Sequence, residues 1–331
     1  MFRKKPSRIN SYLGYGTATK LRATGRALED KGIDFKGNTG TFRTLWNIYK
    51  QFKSDEIPNV KITLTLANGQ SYTTITDAEG YYHFDEKYKE TISSQTLQWH
   101  PYTVSFLNIQ KRKIIRNNAF RGEMLIPSSK ASYGIISDID DTILHTGVAS
   151  LFKWRVIINT FFKNFDKRLP LEGTVDFYKK LEVGKNQFGT NPIFYVSNSP
   201  WNLYDYLSAF LIKHNFPKGP ILLRDFRTPF DRTPKPKIPH KYSEIINILN
   251  LYPKLNFILI GDSGEKDADI YINISQNYPG RILAIYLRNV QHKRKEKRIR
   301  ALINKHATTP SFLVSTSKEA ENHARKLGFI N

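Results

Sequence analysis

The chain contains no cysteine and no long hydrophobic run. The absence of cysteine excludes disulfide bonds and thiolate metal sites, and it suits a reducing compartment. The basic amino terminus is not followed by the apolar stretch of about 7–15 residues that a secretory signal requires. No segment approaches the roughly 18 apolar residues of a membrane-spanning helix. We therefore expect a cytoplasmic protein without a transmembrane segment.

Acidic residues are also scarce relative to basic ones. The 331 residues include 51 Lys and Arg but only 29 Asp and Glu, which gives a net charge of +22. Such an excess attracts polyanions, among them nucleic acid, an anionic lipid surface or a phosphorylated substrate. A lysine-rich background composition would produce the same excess, so charge alone selects no function. The densest basic run extends from Arg288 to His306, with eight Lys or Arg residues and one Glu.

The first part of the chain has the residue pattern of a β-rich domain. Apolar and polar residues alternate through 60–66, which is the period of a half-buried strand. Asn68-Gly69 follows, a pair that favours a tight hairpin, and a returning strand is expected at 72–76. Further short strands separated by turn signals predict a small β-sandwich of immunoglobulin or transthyretin type over residues 1–127.

The pattern of apolar and polar residues changes near residue 128. Short runs that are apolar on both faces then alternate with helix-like segments, as expected for a parallel sheet covered by helices. The predicted strands are 133–136, 193–196, 257–260, 282–287 and 312–314, and the predicted helices are 201–214, 242–249 and a terminal one reaching about Leu327. Residues 128–331 are thus predicted to form an α/β domain with a doubly wound parallel sheet.

Two carboxylates follow the first of these strands. Asp138 and Asp140 are separated by one residue, so both side chains should face one pocket at the carboxyl edge of the sheet, where open α/β sheets bind ligands. Clustered carboxylates are costly unless a cation neutralises them, and ligands made only of oxygen suit Mg²⁺. A solvated acidic loop is the alternative interpretation, which the apolar strand before Asp138 and Thr142 after it weaken.

Polar residues accompany later strands in a similar way. Ser197 and Asn198 follow the second strand, where a hydroxyl and backbone amides can bind a phosphoryl oxygen. Lys241 precedes a helical pattern and could balance the charge of phosphate. Asp262 and Asp267 flank a glycine-containing turn after another buried strand, and Asp262 is a natural second metal carboxylate.

The order of these elements resembles the motif order of the haloacid dehalogenase superfamily. Longer blocks are similar to the catalytic domain of the actin-patch phosphatidate phosphatase family. These blocks are residues 136–143, 146–148, 191–205, 222–225, 240–241, 259–267 and 279–286, and in the upstream domain residues 15–17 and 25–28. The resemblance implies a haloacid dehalogenase-like fold and Mg²⁺-dependent removal of phosphate from phosphatidate and related lipid phosphates.

The resemblance also implies roles for individual residues. Asp138 would be the nucleophile that becomes an aspartyl-phosphate, and Asp140 the general acid and base. Mg²⁺ would be held by the Asp138 carboxylate, the Asp140 backbone carbonyl and Asp262. Ser197, Asn198, Lys241 and Thr142 would form the substrate site, with Thr142 chiefly shaping the loop. Asp267 would support the site by orienting Lys241 or a metal-bound water.

Two alternatives stay open at this stage. The same mechanism could serve a nucleic-acid end or a soluble phosphorylated metabolite, since fold and catalytic residues do not fix the substrate. A non-catalytic protein that binds anionic surfaces is the second alternative. The run from Arg288 to His306 is either a peripheral contact with an anionic membrane or an ordinary solvated helix face.

Overall fold

The structure is a computed structural model that describes most of the chain. The described residues are 5–30, 56–88, 98–107, 113–140, 142–143, 169–187, 191–224, 238–264, 266–290, 293–306 and 308–331. The chain divides into two compact units, Met1–Pro127 and Ser128–Asn331. Among the described residues, no helix is both long and apolar enough to cross a bilayer.

The first unit consists of strands. They are β1 (Ser7–Ser11), β2 (Gly14–Gly16), β3 (Lys20–Glu29), β4 (Lys61–Leu66), β5 (Ser71–Ile75), β6 (Tyr81–Lys87), β7 (Gln98–Phe106) and β8 (Phe120–Ile126). Their hydrogen-bonded order is β1-β3-β2-β8-β7-β4-β5, with β6 paired to β3. All pairs are antiparallel except β2 with β8.

The predicted hairpin in this unit is present. Thr65 lies opposite Ser71 in the β4–β5 ladder, and Gly69 between them has a φ of 85°, which glycine adopts without strain. In β4, Ile62, Leu64 and Leu66 are buried in the core of the unit. The alternation of apolar and polar residues through 60–66 therefore predicted both the strand and its buried face.

The second unit contains a sheet of six parallel strands. They are β9 (Gly134–Ser137), β10 (Ile193–Pro200), β11 (Ile221–Arg224), β12 (Phe257–Asp262), β13 (Ile282–Arg288) and β14 (Ser311–Val314). Their order is β11-β10-β9-β12-β13-β14, so the order of strands reverses between β9 and β12. Such a reversal opens a crevice at the carboxyl ends of the two central strands.

Helices follow or precede each of these strands. They are α1 (Thr174–Val183), α2 (Tyr204–Lys213), α3 (His240–Leu251), α4 (Asp267–Asn277), α5 (Lys293–Lys305) and α6 (Ser317–Lys326). A short 3₁₀ turn at Trp201–Leu203 leads into α2. The Thr316 side chain caps α6 by accepting a hydrogen bond from the Glu319 amide at 3.2 Å.

The predicted α/β class with a parallel sheet is confirmed. The central strand β9 is buried at every position, and Gly134 is required there because a Cβ atom would lie 2.4 Å from the Phe257 ring. Several elements had not been predicted, namely β1, β2, β3, β11, α1, α4 and α5. The structure adds α5 where the sequence showed only a basic run.

Candidate active site

The site is built on the carboxyl ends of the two central strands. Asp138 directly follows β9, and Asp262 is the last residue of β12. The two strands pair in parallel through Ser137 and Ile260, and the Asp138 amide donates to the Ile260 carbonyl at 2.8 Å. Both carboxylates therefore leave the sheet at the point where the strand order reverses.

A buried lysine links two of the carboxylates. Lys241 Nζ, in the first turn of α3, lies 2.7 Å from Asp138 Oδ1 and 2.7 Å from Asp267 Oδ1. The Lys241 side chain is only 1% exposed and that of Asp138 is fully buried. Thr142 Oγ1 donates to Asp138 Oδ2 at 3.2 Å. Asp138 is thus held from both oxygens, by a cation on one side and by a hydroxyl on the other.

The turn between β12 and α4 gathers the acidic groups. Carboxylate oxygens of Asp138, Asp262 and Asp267 all lie within 4.8 Å of one another. Asp262 Oδ1 accepts a short hydrogen bond from the Gly264 amide, and the Asp262 amide donates to Asp267 Oδ2 at 3.4 Å. Gly261 makes room for this packing, because a Cβ atom there would lie 2.5 Å from Asp267 Oδ2.

Asp140 is held by a different set of partners. Ser197 Oγ donates to Asp140 Oδ2 at 2.6 Å, and Ser199 Oγ donates to the same oxygen at 3.0 Å. The Ser199 amide also donates to Ser197 Oγ at 2.8 Å. Both hydroxyls come from the end of β10, where residues separated by one position point the same way. The half-buried Asp140 carboxylate is therefore fixed in one orientation.

Burial dominates the electrostatics of Asp138. Removal from water raises the pKa of its carboxyl group well above the ordinary value, although Lys241 lowers it. The nearby acidic groups, first Asp267 and then Asp140 and Asp262, raise it further. His240 stays neutral near pH 7, because removal from water lowers its pKa to about 4. The acidic groups gathered here thus outnumber the single buried lysine, and His240 adds no positive charge.

Two buried tyrosines support the backbone around Asp138. Tyr178 Oη and Ser137 Oγ are 2.5 Å apart, and Ser137 Oγ donates to the Asp138 carbonyl at 2.7 Å. Tyr271 Oη donates to the Ile260 carbonyl at 3.1 Å, which is the same group that accepts from the Asp138 amide. These hydrogen bonds fix the position from which the Asp138 side chain projects.

The structure brings the predicted site residues to one edge of the sheet, in two connected groups. One group joins Asp138, Thr142 and Lys241 to the acidic turn. The other joins Asp140 to Ser197, with half-buried Asn198 next in the chain. Ser199 was not predicted, although its spacing from Ser197 was a usable signal. Of the motif positions, Asp141, residues 146–148, Asp225 and Glu265 lie outside the described residues.

The chain is similar in sequence to two fungal proteins. The chain is 32% identical over 242 residues to phosphatidate phosphatase APP1 of Saccharomyces cerevisiae, covering 72% of this chain and 39% of that protein. It is 30% identical over 257 residues to an uncharacterized protein of Schizosaccharomyces pombe, covering 75% of this chain and 40% of that protein. The chain thus spans about two fifths of the length of each relative.

One solved structure aligns with most of the chain at low similarity. A β-glucuronidase from Ruminococcus gnavus in complex with D-glucuronic acid covers 92% of this chain and 42% of its own at 8% identity, with a TM-score of 0.22. A match with a TM-score this low supports no conclusion about the fold or function of this chain.

The family comparison falls on the unit that holds the site. The profile described as phosphatidate phosphatase APP1, catalytic domain, matches residues 133–289. That segment begins just before β9 and includes Asp138, Lys241 and Asp267, so the resemblance predicted from the motifs is confirmed. Residues 133–289 thus match the phosphatidate phosphatase APP1 catalytic-domain family, which is the family that the motifs resemble.

Proposed function

We propose that this protein is a Mg²⁺-dependent phosphatidate phosphatase that acts through an aspartyl-phosphate on Asp138. The observation that carries the proposal is the position of Asp138 at the strand reversal, 2.7 Å from Lys241, with Asp140 held two residues away by two serine hydroxyls. The match of residues 133–289 to the phosphatidate phosphatase catalytic-domain family supports phosphatidate as the substrate. In this proposal residues 128–331 form a haloacid dehalogenase-like domain and residues 1–127 a β-sandwich domain.

The acidic cluster fits a divalent cation. Three carboxylates approach within 4.8 Å, whereas Lys241 contributes a single positive charge. Buried carboxylates in excess are unfavourable unless a cation joins them, and donors made only of oxygen suit Mg²⁺. Asp138, Asp262 and the Asp140 backbone carbonyl would hold the ion, with Asp267 beside it. Bound Mg²⁺ would supply positive charge that stabilises the transferring phosphoryl group.

The first half of the reaction is a transfer of the phosphoryl group to the protein. One Asp138 carboxylate oxygen attacks phosphorus, and the bond from phosphorus to the diacylglycerol oxygen breaks. The leaving oxygen takes a proton from Asp140, whose carboxyl group Ser197 and Ser199 aim into the site. Lys241 stabilises the charge on the phosphoryl oxygens and on Asp138.

The second half releases phosphate and restores the site. Asp140, now a carboxylate, removes a proton from water, and the water oxygen attacks the phosphorus of the aspartyl-phosphate. The bond from phosphorus to Asp138 breaks, so the Asp138 carboxylate is regenerated. Asp140 ends with the proton that it gave to the leaving group, and the cycle is balanced.

A second substrate class keeps the same residues. The net charge of +22 also favours a phosphorylated nucleic-acid end or a soluble phosphorylated metabolite. A non-catalytic anionic-surface protein is a weaker alternative, because the chain retains the nucleophile, the acid and the metal carboxylates of the motif order.

Phosphate release from matched substrates tests the proposal. Phosphatidate dispersed in neutral detergent micelles is compared with lysophosphatidate, glycerol phosphate and a 5′-phosphorylated oligonucleotide, each with Mg²⁺ and with a chelator. We expect Mg²⁺-dependent release chiefly from the two lipids. Release mainly from the oligonucleotide or from glycerol phosphate would contradict the proposed lipid substrate but would be compatible with the proposed catalytic residues. Release from none would contradict the enzymatic proposal.

A further inference from the structure

We propose that one face of α5 docks the protein on an anionic lipid surface, close to the catalytic edge of the sheet. This inference rests on the proposed function, because a lipid phosphate is presented in such a surface. The basic face is defined by the outward cationic residues of α5, which are Lys293, Arg294, Lys297, Arg298, Arg300 and Lys305. All six are exposed.

The periodicity of α5 separates an inward from an outward side. Ile299 is fully buried, and Lys295, Leu302 and Ile303, at helical spacing from it, are half-buried. The outward side has no large apolar residue, since Ala301 and Asn304 are its only uncharged members. A surface of this kind binds through charge at the level of lipid headgroups and does not insert into the acyl region.

Much of the outward charge is not neutralised by neighbours. Arg298 forms two contacts with Asp269, from Nη1 at 2.8 Å and from Nη2 at 3.0 Å, and Arg300 pairs with Glu296 at 2.9 Å. No acidic group among the described residues lies within ion-pair distance of Lys293, Arg294, Lys297 or Lys305. Three of these four cations lie in the first half of the helix.

That half of α5 is attached to the turn that carries Asp262. The Ser263 amide donates to the Arg288 carbonyl at 2.8 Å, and the Val290 amide donates to Ser263 Oγ at 3.0 Å. Lys295 Nζ, in the first turn of α5, donates to the Gly264 carbonyl at 2.6 Å. The uncompensated cations therefore lie beside the carboxyl edge of the sheet, where substrate must enter.

Charge complementarity favours a bilayer as the partner. Phosphatidate in a membrane gives the surface a negative charge, and each Lys or Arg held near such a surface strengthens binding by about 1 kcal/mol. A basic face next to the catalytic carboxylates would hold the acidic site, which repels anionic headgroups, against the surface that contains the substrate. Nucleic acid is the competing partner for the same charges and is separated by the test.

The experiment measures binding of the full chain to vesicles of phosphatidylcholine with and without phosphatidylserine. Phosphatidylserine is used because it supplies negative charge without being the proposed substrate. The test variant carries Lys293→Gln, Arg294→Gln and Lys297→Gln. The matched control carries Lys179→Gln, Lys185→Gln and Lys326→Gln. These three exposed lysines lie in the second half of α1, just after α1 and at the end of α6, where the chain returns toward the amino edge of the sheet.

We expect the unchanged protein and the control to bind the anionic vesicles and not the neutral ones. The test variant should bind roughly 100-fold more weakly, from three side chains at about 1 kcal/mol each. Equal losses in the test variant and the control would overturn the proposal, since bulk charge would then explain binding. Displacement of the protein from anionic vesicles by a much lower concentration of oligonucleotide phosphate than of free vesicle lipid would overturn it in favour of nucleic acid.

Hydrolysis in neutral detergent micelles separates this inference from the proposed function. There the test variant should retain the rate of the unchanged protein, because the substrate no longer lies in an anionic surface. Vesicle binding that depends on the basic face, in a protein that hydrolyses no lipid phosphate, would refute the proposed function and leave the docking surface standing. If the protein hydrolyses lipid phosphate but the test variant binds vesicles as tightly as the unchanged protein, only the proposed docking surface is refuted.

Discussion

The surroundings of Asp140 bear directly on its proposed roles as general acid and then general base. A group that gives and then takes a proton must keep one orientation through both steps, and two hydroxyls donate to the same Asp140 oxygen. Hydrogen bonds to the carboxylate form lower its pKa, so these serines also influence when Asp140 is protonated. Ser197 has a further proposed role toward substrate, which leaves Ser199 as the cleaner probe.

Replacement of Ser199 by Ala should therefore change the chemistry more than the binding. We expect kcat to fall about 10-fold with little change in KM, because a hydrogen bond to a charged group contributes about 1.5–3 kcal/mol. The pKa assigned to Asp140 in the profile of kcat against pH should rise, since one donor to the carboxylate is lost. Ser199→Thr, which keeps the hydroxyl, should restore both values. An unchanged profile in Ser199→Ala would contradict the positioning role.

The candidate site shows what sequence could and could not predict at this scale. The four acidic residues of the site were proposed because they follow apolar runs that are readable as strands. They are Asp138, Asp140, Asp262 and Asp267. Ser199 was overlooked because a serine near a helix start is common, and its contact with Asp140 joins residues 59 positions apart. The pairing of Lys241 with Asp138 likewise depends on how α3 packs against β10 and α4, which no local pattern specifies.

The turn between β12 and α4 shows how a single backbone position controls the acidic cluster. Gly261→Ala would place a methyl group 2.5 Å from Asp267 Oδ2 and 2.8 Å from the Tyr271 ring. Since Asp267 Oδ1 binds Lys241, we expect the displaced carboxylate to weaken the lysine contact and activity to fall at least 10-fold. Phosphate release and thermal unfolding are measured together. Full activity at unchanged stability would show that the cluster tolerates the displacement.

Helices α1 and α6 meet at a charged contact outside the site. Glu321 Oε1 lies 2.8 Å from Lys180 Nζ, 2.9 Å from Arg325 Nη2 and 3.2 Å from Lys318 Nζ. The hydrogen bond from Lys180, with those from Arg325 and Lys318, lowers the pKa of Glu321 to about 2, although burial opposes this. The contact therefore stabilises the native state wherever Glu321 is ionised.

Glu321→Gln tests this contact through the pH dependence of stability. Because the pKa is lowered on folding, the contribution is complete above the ordinary glutamate pKa and is lost as pH falls toward 2. We expect the variant to lose about 1–2 kcal/mol of unfolding free energy at pH 7, a modest figure since the cations are partly exposed. The difference should shrink between about pH 4.5 and pH 2. A loss independent of pH would point to packing instead of charge.

Strands and helices were predicted correctly where the sequence had one clear pattern, such as a continuous apolar run. Strands β12 and β13 are buried on both faces, and their apolar runs could be read directly. Strand β11 was not predicted, although its four residues equal the length of β9 and β14. Helix α5 was hidden because its inward side has few apolar residues, so the local pattern showed charge before it showed periodicity. Strands β1, β2 and β3 are recognisable only through their distant partners.

Metal binding should be visible in the stability of the whole protein. A ligand that binds only the native state adds about 2.7 kcal/mol at a concentration 100 times its Kd. We expect Mg²⁺ to raise the unfolding temperature and a chelator to reverse the rise. Asp262→Asn should abolish the response, whereas the Glu321→Gln variant should keep it. A temperature shift that persists in Asp262→Asn would place the ion elsewhere.

At the scale of the molecule, the net charge of +22 coexists with an acidic catalytic cluster. The positive charge of the proposed docking face lies on α5, whereas the acidic cluster is buried at the end of the sheet. The sum of these charges can be read from the composition. Their separation arises only when β12 and β13 bring residues 262 and 288 side by side.

The central claim is that Asp138 carries the phosphoryl group during turnover. Its most direct test is to stop the reaction with phosphatidate micelles and Mg²⁺ by acid within the first turnover and to map phosphate on peptides by mass spectrometry. We predict a transient phosphate adduct on the peptide containing Asp138. The adduct should be absent from Asp138→Asn, which should also release no phosphate. Phosphate release by Asp138→Asn at a rate close to that of the unchanged protein would contradict the account.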